Sequence, residues 1–393
     1  MPAAPLPNRF LALDTMRGLA ALFVAVYHTV PYLAVHWGAY VLVDFFLVLS
    51  GFVLAHSHLY RENAYGIGGF IWRRFTRLWP MHVVSLVLMW WVVYYGLTGK
   101  WFTEPYNNPT TLVQQVTMTH NLGLPLGTSS KYPGDAWSWN FPAWSVSVEF
   151  WVNVLFALFI RRRTRSWLLA ATGFVCLAVV FQAKHTLGTY NFNLYDSFFP
   201  RTEGMEGSYR PNPFKNWNSG MLRGIASFVL GILSYRLYRR WHAAGLRVTG
   251  ATLWEGLAFL FFLALPNVAL LTTETRDLRW IEFSGPLLFV PMVALYALQQ
   301  GRLTRWLNKL EHLGTISYSL YLNHAMFIVL VNSIWGHAWL PAQNLVGRLP
   351  HNDFVTPALV LVGSLVWSHF TYHWVEMPAQ RGLRRLFAAQ GRK

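Results

Sequence analysis

The first apolar stretch, residues 10–34, limits what this chain can fold into, because it carries ionisable side chains inside a segment long enough to cross a bilayer. A helix of about 20 residues spans a hydrocarbon core of roughly 30 Å. Asp14, Arg17 and His28 lie within this stretch. At about 100° per residue the three share one helix face, with roughly 16 Å along the axis between Arg17 and His28. Ionisable groups at membrane depth usually face a bundle interior or a wet cavity, so this face predicts a functional site.

The composition supports a membrane protein. Hydrophobic residues make up 54% of the 393 residues and charged residues only 12%, whereas a soluble domain carries about 25% charged residues. Mean hydropathy is +0.30. The single cysteine, Cys176, excludes an intrachain disulfide framework, and no Cys/His zinc spacing occurs. We therefore expect no metal and no permanently bound cofactor.

Ten apolar stretches predict an all-α polytopic membrane protein, with residues 1–393 forming a single membrane-embedded domain of about ten transmembrane helices. The predicted spans are 10–34, 40–59, 80–97, 142–160, 166–183, 218–235, 251–271, 281–298, 313–335 and 354–375. Another stretch, 110–122, is only mildly apolar and too short to span, and predicts an additional short re-entrant or interfacial helix. No small-residue cleavage site follows the first stretch, so we expect the first helix to be retained. The polar loop 185–216 is a candidate cap over the outer mouth.

The net charge of +16 would suit a nucleic-acid binder, but its distribution argues instead for membrane topology. Basic clusters follow every second predicted span, for example Arg61 to Arg77 and Arg161 to Arg165, and most acids lie in the alternate loops. The positive-inside rule then places both termini in the cytoplasm. We expect membrane lipid, and no nucleic acid, among the partners.

Polar side chains from several spans are predicted at similar depths. Ser145 and Glu149 lie one turn apart in the fourth span, and Asp44 lies in the outer half of the second, as His28 does in the first. The ninth span carries a polar face at helical spacing, made of Ser317, Tyr321 and His324, with Tyr318 beside it. The polar faces therefore converge at mid-membrane or slightly outside it.

These residue types fit one kind of chemistry. A neutral histidine, with an ordinary pKa near 6.5, can take a proton from a hydroxyl group. A carboxylate, either Asp44 or Glu149, can orient the ring and stabilise the imidazolium. Arg73, Arg74 and Arg77, at the predicted cytoplasmic mouth, offer guanidinium groups that can bind phosphates. The combination favours a reaction whose donor is a cytoplasmic, nucleotide-like thioester.

Structural alternatives stand beside these functional interpretations. Arg17 can pair with Asp14 at i, i+3 and hold its helix in the bundle, and this role has the same weight as substrate contact. Arg73 is a determinant of topology. The polar groups of the ninth span can serve as hydrogen-bonding partners between helices.

Six motifs, in this order and spacing, resemble those of the acyltransferase 3 family of integral-membrane O-acyltransferases. They are LDTMRGLAALFVAVYH at 13–28, VDFFLVLSGFVL at 43–54, RRFTRLWP at 73–80, WSVSVEF at 144–150, GTISYSLYLNH at 314–324 and VEMP at 375–378. The resemblance implies a catalytic role for His28, acyl-CoA binding for Arg74 and Arg77, and an SxxxE motif at Ser145 and Glu149. We take as candidate catalytic residues His28, Glu149 and Asp44, and as candidate substrate-binding residues Arg17, Arg74, Arg77, Asp14, Ser145, Tyr318, Tyr321 and His324.

The same resemblance implies transfer of an acyl group, usually acetyl, from cytoplasmic acyl-CoA to a glycan or another hydroxyl-bearing acceptor. It also implies a bacterial cytoplasmic (inner) membrane location. A proton-coupled transporter of an anionic molecule is the alternative, because a basic mouth and intramembrane ionisable groups suit it as well. The chain lacks the internal repeat that many transporters show, which favours the enzyme.

Overall fold

The computed structural model describes residues 6–7, 9–29, 39–60, 66–96, 99–102, 108–122, 139–187, 219–274, 280–334 and 355–390. All the regular elements in these ranges are helices. In chain order the α-helices are α1 (Leu11–Thr29), α2 (Leu42–Leu54), α3 (Ile67–Leu88), α4 (Pro109–Val116), α5 (Trp144–Phe159), α6 (Ser166–Leu187), α7 (Ser219–Ala243), α8 (Ala251–Glu274), α9 (Trp280–Ala297), α10 (Arg302–Leu307), α11 (Glu311–Thr315), α12 (Ser317–Ile334), α13 (Val355–Thr371) and α14 (Met377–Gln390). The predicted loop at 185–216 lies outside the described residues from position 188 onward.

The chain forms two compact units, each built from distant stretches. The first unit comprises Met1–Phe70, Phe156–Leu177 and Gly224–Tyr321. The second unit comprises Ile71–Leu155, Ala178–Arg223 and Leu322–Lys393. The prediction of a single domain rests on the sequence alone and stays a prediction.

Helix α6 shows how the apolar faces are distributed. Leu177 packs with Ala226 and Leu230 of α7 in a buried cluster. Away from this cluster Trp167 and Phe174 are 60% and 69% exposed. A soluble protein rarely leaves so many large apolar side chains in one exposed stripe, whereas lipid accommodates them. This helix is therefore partitioned between protein and membrane.

Among the residues that the structure describes, four helical segments are long and apolar enough to cross a bilayer, judged by length and composition. They are Leu11–Thr29, Leu42–Leu59, Phe141–Phe159 and Gly220–Ala243. A fifth is added if the bent pair Arg302–Thr315 and Ser317–Val331 forms one span. The prediction of an all-helical, multi-pass membrane protein is confirmed. A helix overlaps each of the ten predicted spans, but the number of about ten spans stays a prediction.

The helix at the third predicted span begins before Pro80, the residue where that span was predicted to start. Arg73, Arg74 and Arg77 were predicted in a basic loop before Pro80, but they lie on α3, which starts at Ile67. Trp72, Phe75 and Trp79 explain this, because their rings stack at 5.4 Å and 5.3 Å along one side of the helix. Arginine is also a good helix former. Pro80 therefore sits inside a helix, as membrane helices tolerate.

The ninth span is not one straight helix. The prediction placed a span over 313–335, but α11 ends at Thr315 and α12 begins at Ser317. The helical segments on either side of this break meet at an angle of 54°. Ser317 Oγ donates to the carbonyl oxygen of Gly314 at 2.7 Å. This bond satisfies a backbone acceptor that the broken helix leaves without its usual partner.

The short helix predicted at 110–122 is α4, and it is held by side chains of α3 and α5. It has eight residues, about 12 Å of helix. Its carbonyl oxygens at Gln115 and Val116 accept from His82 Nε2 at 2.8 Å and Trp79 Nε1 at 3.0 Å. The carbonyl of Met118 accepts two hydrogen bonds, one each from Ser147 Oγ (2.6 Å) and Trp151 Nε1 (2.9 Å). Side chains thus replace the backbone partners that a helix C-terminus lacks.

Helices α2 and α7 approach each other backbone to backbone at a pair of glycines. A Cβ atom on Gly51 would overlap the carbonyl oxygen of Phe228, and one on Gly231 would overlap the carbonyl oxygen of Val48. Small residues at a helix crossing allow this close approach. The two glycines therefore set the distance between α2, which carries Asp44, and α7.

We expect Gly51→Val to destabilise the protein by about 1–3 kcal/mol or more, because the added side chain forces two backbones apart. Thermal unfolding of the purified chain in detergent, followed by tryptophan fluorescence, measures the effect. Gly256→Val is the matched control, since a Cβ at Gly256 meets nothing within 4 Å. Equal melting temperatures for the two variants would contradict the close packing of α2 and α7.

Candidate functional site

The ionisable residues of α1 are accessible, and two of them are paired with each other. Asp14, Arg17 and His28 are all partly accessible, while most of α1 is buried. Arg17 Nη2 lies 3.4 Å from Asp14 Oδ1, and Arg9 Nη2 lies 3.1 Å from Asp14 Oδ2. The Asp14 carboxylate is thus paired with two arginines.

Arg17 also binds the break between α11 and α12. Its Nε donates to Ser317 Oγ at 2.9 Å, and its Nη2 donates to the carbonyl oxygen of Gly314 at 2.8 Å. The guanidinium fork therefore holds three groups of the first unit at once, which fits its fixed planar geometry. These contacts support the structural alternative for Arg17, and its predicted role in substrate binding stays a prediction.

His28 is the penultimate residue of α1 and is half-buried. Its ring lies 4.8 Å from the ring of Tyr27, centroid to centroid, at an angle of 58°. A half-buried imidazole keeps a route to a substrate while most of its surroundings exclude water. This placement is compatible with a general base.

Asp44 is a buried carboxylate of the first unit. It lies in the first turn of α2, is 1% exposed, and its Oδ1 accepts from Ser227 Oγ at 3.1 Å. A negatively charged side chain is favoured at a helix N-terminus.

Tyr321 lies in the same unit with its ring 5.5 Å from that of Phe46. Tyr318 is half-buried.

The second unit holds the predicted phosphate-binding arginines beside Glu149. The Nε atom of Arg74 is buried, and its guanidinium interacts electrostatically with the like charge of Arg77 and the opposite charge of Glu149. A partly buried cation with a nearby carboxylate is typical of functional sites. The structure brings the RxxR and SxxxE motifs together.

The arginine cluster has a member that sequence reasoning missed. The positive charges of Arg384, on α14, and of Arg73 also act on the Arg74 guanidinium. Arg384 is more than 300 positions from Arg74 in the chain, so no spacing rule connects the two. The one available signal was the basic, amphipathic character of the C-terminal segment.

Two other predicted binding residues are buried and have protein contacts. Ser145 is 9% exposed and its Oγ donates to the carbonyl oxygen of Pro142 at 3.1 Å. His324 has no exposed surface, and its ring meets that of Phe141 edge-on at 5.7 Å. The adjacent Asn323 donates to Thr371 Oγ1 at 2.9 Å. Roles for Ser145 and His324 in substrate binding stay predictions.

Within the described ranges, no three His, Cys, Asp or Glu side chains are grouped so that they could share a metal ion. The catalytic and binding roles assigned to the other candidate residues likewise rest on the sequence motifs and the chemistry of the side chains. The structure adds their burial, their partners and the unit in which each one lies.

The comparisons with known proteins assign the chain to a family. A family model described as an acyltransferase domain matches residues 10–373. The chain belongs to this family, the acyltransferase 3 family, and the resemblance carried by the motifs is confirmed. It is therefore a membrane protein of an acyltransferase family.

Two relatives extend this result. The chain is 34% identical over 169 residues to a Rhizobium radiobacter protein named "Protein 2 in picA locus", covering 40% of this chain and 86% of the relative. It is 24% identical over 346 residues to the Komagataeibacter xylinus protein named "Putative membrane-bound transacylase BcsY". This match covers 83% of this chain and 74% of the relative. No solved structure shows a significant match.

We expect Arg17→Ala to lower the free energy of unfolding by about 1.5–3 kcal/mol, because charge-assisted bonds to Ser317 and Gly314 are lost. Arg17→Lys keeps the charge but not the fork, and should be destabilised nearly as much. Thermal melting in detergent measures both variants.

Arg9→Ala is the matched control, because the Arg9 side chain is 61% exposed and also pairs with Asp14. An exposed ion pair is worth about 1 kcal/mol or less. If Arg17→Lys melted like the wild type, charge alone would explain the role of Arg17, and the bidentate clasp would be wrong.

Proposed function

We propose that this protein is a membrane O-acyltransferase that moves an acyl group, acetyl first among candidates, from cytoplasmic acyl-CoA to a hydroxyl of a surface or exported glycan. The observation that carries the proposal is the arginine cluster of Arg74 and Arg77 beside Glu149, within a chain that belongs to an acyltransferase family. The relative named as a membrane-bound transacylase supports transfer as the type of reaction.

The donor is assigned from charge. Coenzyme A is a polyanion, and arginine forks bind phosphate oxygens in pairs. Arg74 and Arg77 are one turn apart on α3, a spacing that lets both guanidinium groups serve one diphosphate. Under the positive-inside assignment this stretch of α3 faces the cytoplasm, where acyl-CoA is found. The chain then lies in the bacterial inner membrane with both termini cytoplasmic.

His28 is proposed as the general base. Its imidazole nitrogen takes the proton of the acceptor hydroxyl as the oxygen attacks the thioester carbonyl carbon. The new C–O bond forms as the C–S bond breaks. The imidazolium then gives its proton to the departing thiolate, which leaves as the coenzyme A thiol. Asp44, buried and hydrogen-bonded by Ser227, is a candidate to stabilise that imidazolium, and Glu149 is proposed for the same role.

Transfer of label from radiolabelled acetyl-CoA to a panel of lipid-linked and soluble glycans, using purified full-length protein, tests this function. We expect His28→Ala to reduce transfer at least about 100-fold, since general base catalysis commonly contributes that much. His312→Ala is the matched control, an exposed histidine of the same unit.

Equal transfer by wild type and His28→Ala would remove His28 from the chemistry and make Glu149 the candidate base. Absence of both transfer and coenzyme A binding in the wild-type protein would contradict the proposed enzyme and favour a transporter.

A further inference from the structure

The last helix, α14, begins at Met377, beyond residue 373, where the family match ends. Two side-chain hydrogen bonds join it to the arginine-bearing part of α3. Trp72 Nε1 donates to the carbonyl oxygen of Leu383 at 3.2 Å. Gln380, which is 8% exposed, lies with its Nε2 3.5 Å from the carbonyl oxygen of Arg77. The C-terminal helix is therefore docked along the same stretch of α3 that carries Arg74 and Arg77.

Arg384 is the residue of α14 that adds its charge to the cluster. Its Nη2 donates to Gln380 Oε1 at 3.4 Å, one turn back on the same helix, and its side chain remains exposed. Gln380 in turn donates to Glu376 Oε1 at 3.2 Å. A chain of side-chain contacts thus runs from Glu376 through Gln380 to Arg384 along one side of α14.

Among the described residues, the cluster holds more positive than negative charge. The arginines found there are Arg73, Arg74, Arg77 and Arg384, and the carboxylates are Glu149 and Glu376. Like charges close to a poorly hydrated surface repel each other more strongly than they do in water. A polyanion that bridges these arginines would relieve the repulsion, so the arrangement favours a ligand with several phosphate groups.

The exposed position of Arg384 suits the outer part of such a ligand. Coenzyme A carries phosphate in two places, a diphosphate in its middle and a monoester on the ribose 3′ oxygen, far from the thioester. A phosphate monoester has a charge of about −1.5 to −2 at neutral pH, and a guanidinium group can bind it through two hydrogen bonds.

We propose that Arg384 binds the ribose 3′-phosphate of the donor, while Arg74 and Arg77 hold the diphosphate. The C-terminal helix is then part of the donor site and selects coenzyme A over its dephosphorylated form. The assignment rests on the acyl-CoA donor of the proposed function.

Equilibrium binding of coenzyme A and of 3′-dephospho-coenzyme A to purified full-length protein, measured by titration calorimetry, tests Arg384. The wild type should bind coenzyme A about tenfold more tightly than the dephospho form, the effect of one charge-assisted contact. Arg384→Gln should abolish this preference by weakening coenzyme A binding alone, and Arg384→Lys should keep part of it. Arg385→Gln is the control, because Arg385 is the neighbouring exposed arginine on the same helix.

A merely structural role for Arg384 would weaken both ligands equally, and that result, or an unchanged preference, would overturn the assignment. If the wild type bound neither ligand, both the Arg384 assignment and the proposal of acyl-CoA as the donor would be overturned. Binding with the expected preference, lost in Arg384→Gln but without acyl transfer to any acceptor, would support the 3′-phosphate contact and contradict the transfer reaction alone.

Discussion

The guanidinium of Arg17 fixes the helix break on which much of the first unit depends. It binds a backbone carbonyl of α11, the first side chain of α12 and a carboxylate on its own helix. A single rigid fork therefore determines where α12 starts and which direction it takes away from α1. Tyr318 and Tyr321 follow directly, so their positions depend on this residue. Arg17 belongs to the motif that also contains His28. Its contacts in the structure are with neighbouring protein groups, whose geometry it fixes.

In the second unit, the arginines of α3 can satisfy two requirements at once. Positive charge on the cytoplasmic side orients a membrane protein, and positive charge in a partly buried cluster attracts phosphate. The number of positive charges alone does not distinguish an arginine that orients the protein from one that binds phosphate, but its burial does. Arg74 has a buried Nε atom and lies beside Glu149, whereas the arginines at 161–163 are exposed. Orientation needs no burial, so the cost of burying Arg74 points to a second role.

Hydropathy predicted the helical class and a helix at each of the ten apolar stretches, because apolar runs this long have few other ways to satisfy their backbones. It also predicted the short helix α4. It misplaced the start of α3, since the aromatic ladder of Trp72, Phe75 and Trp79 extends the helix through polar sequence. The break at Ile316 depends on a partner nearly 300 residues away, Arg17, and Arg384 joins its cluster from an equally distant position. Contacts of this kind are set by tertiary packing, which local patterns do not encode.

The clamped end of α4 has a consequence for the order of biosynthesis. The carbonyl of Met118 is bound by Ser147 and Trp151, and both belong to a helix that the ribosome makes later. Until α5 has been synthesised, the Met118 carbonyl has water as its available partner, and leaving it unsatisfied in lipid would cost several kcal/mol, on the order expected for a buried amide. The end of this segment at Met118 should therefore wait in an aqueous environment during translation and reach its final position only after the following helix has inserted.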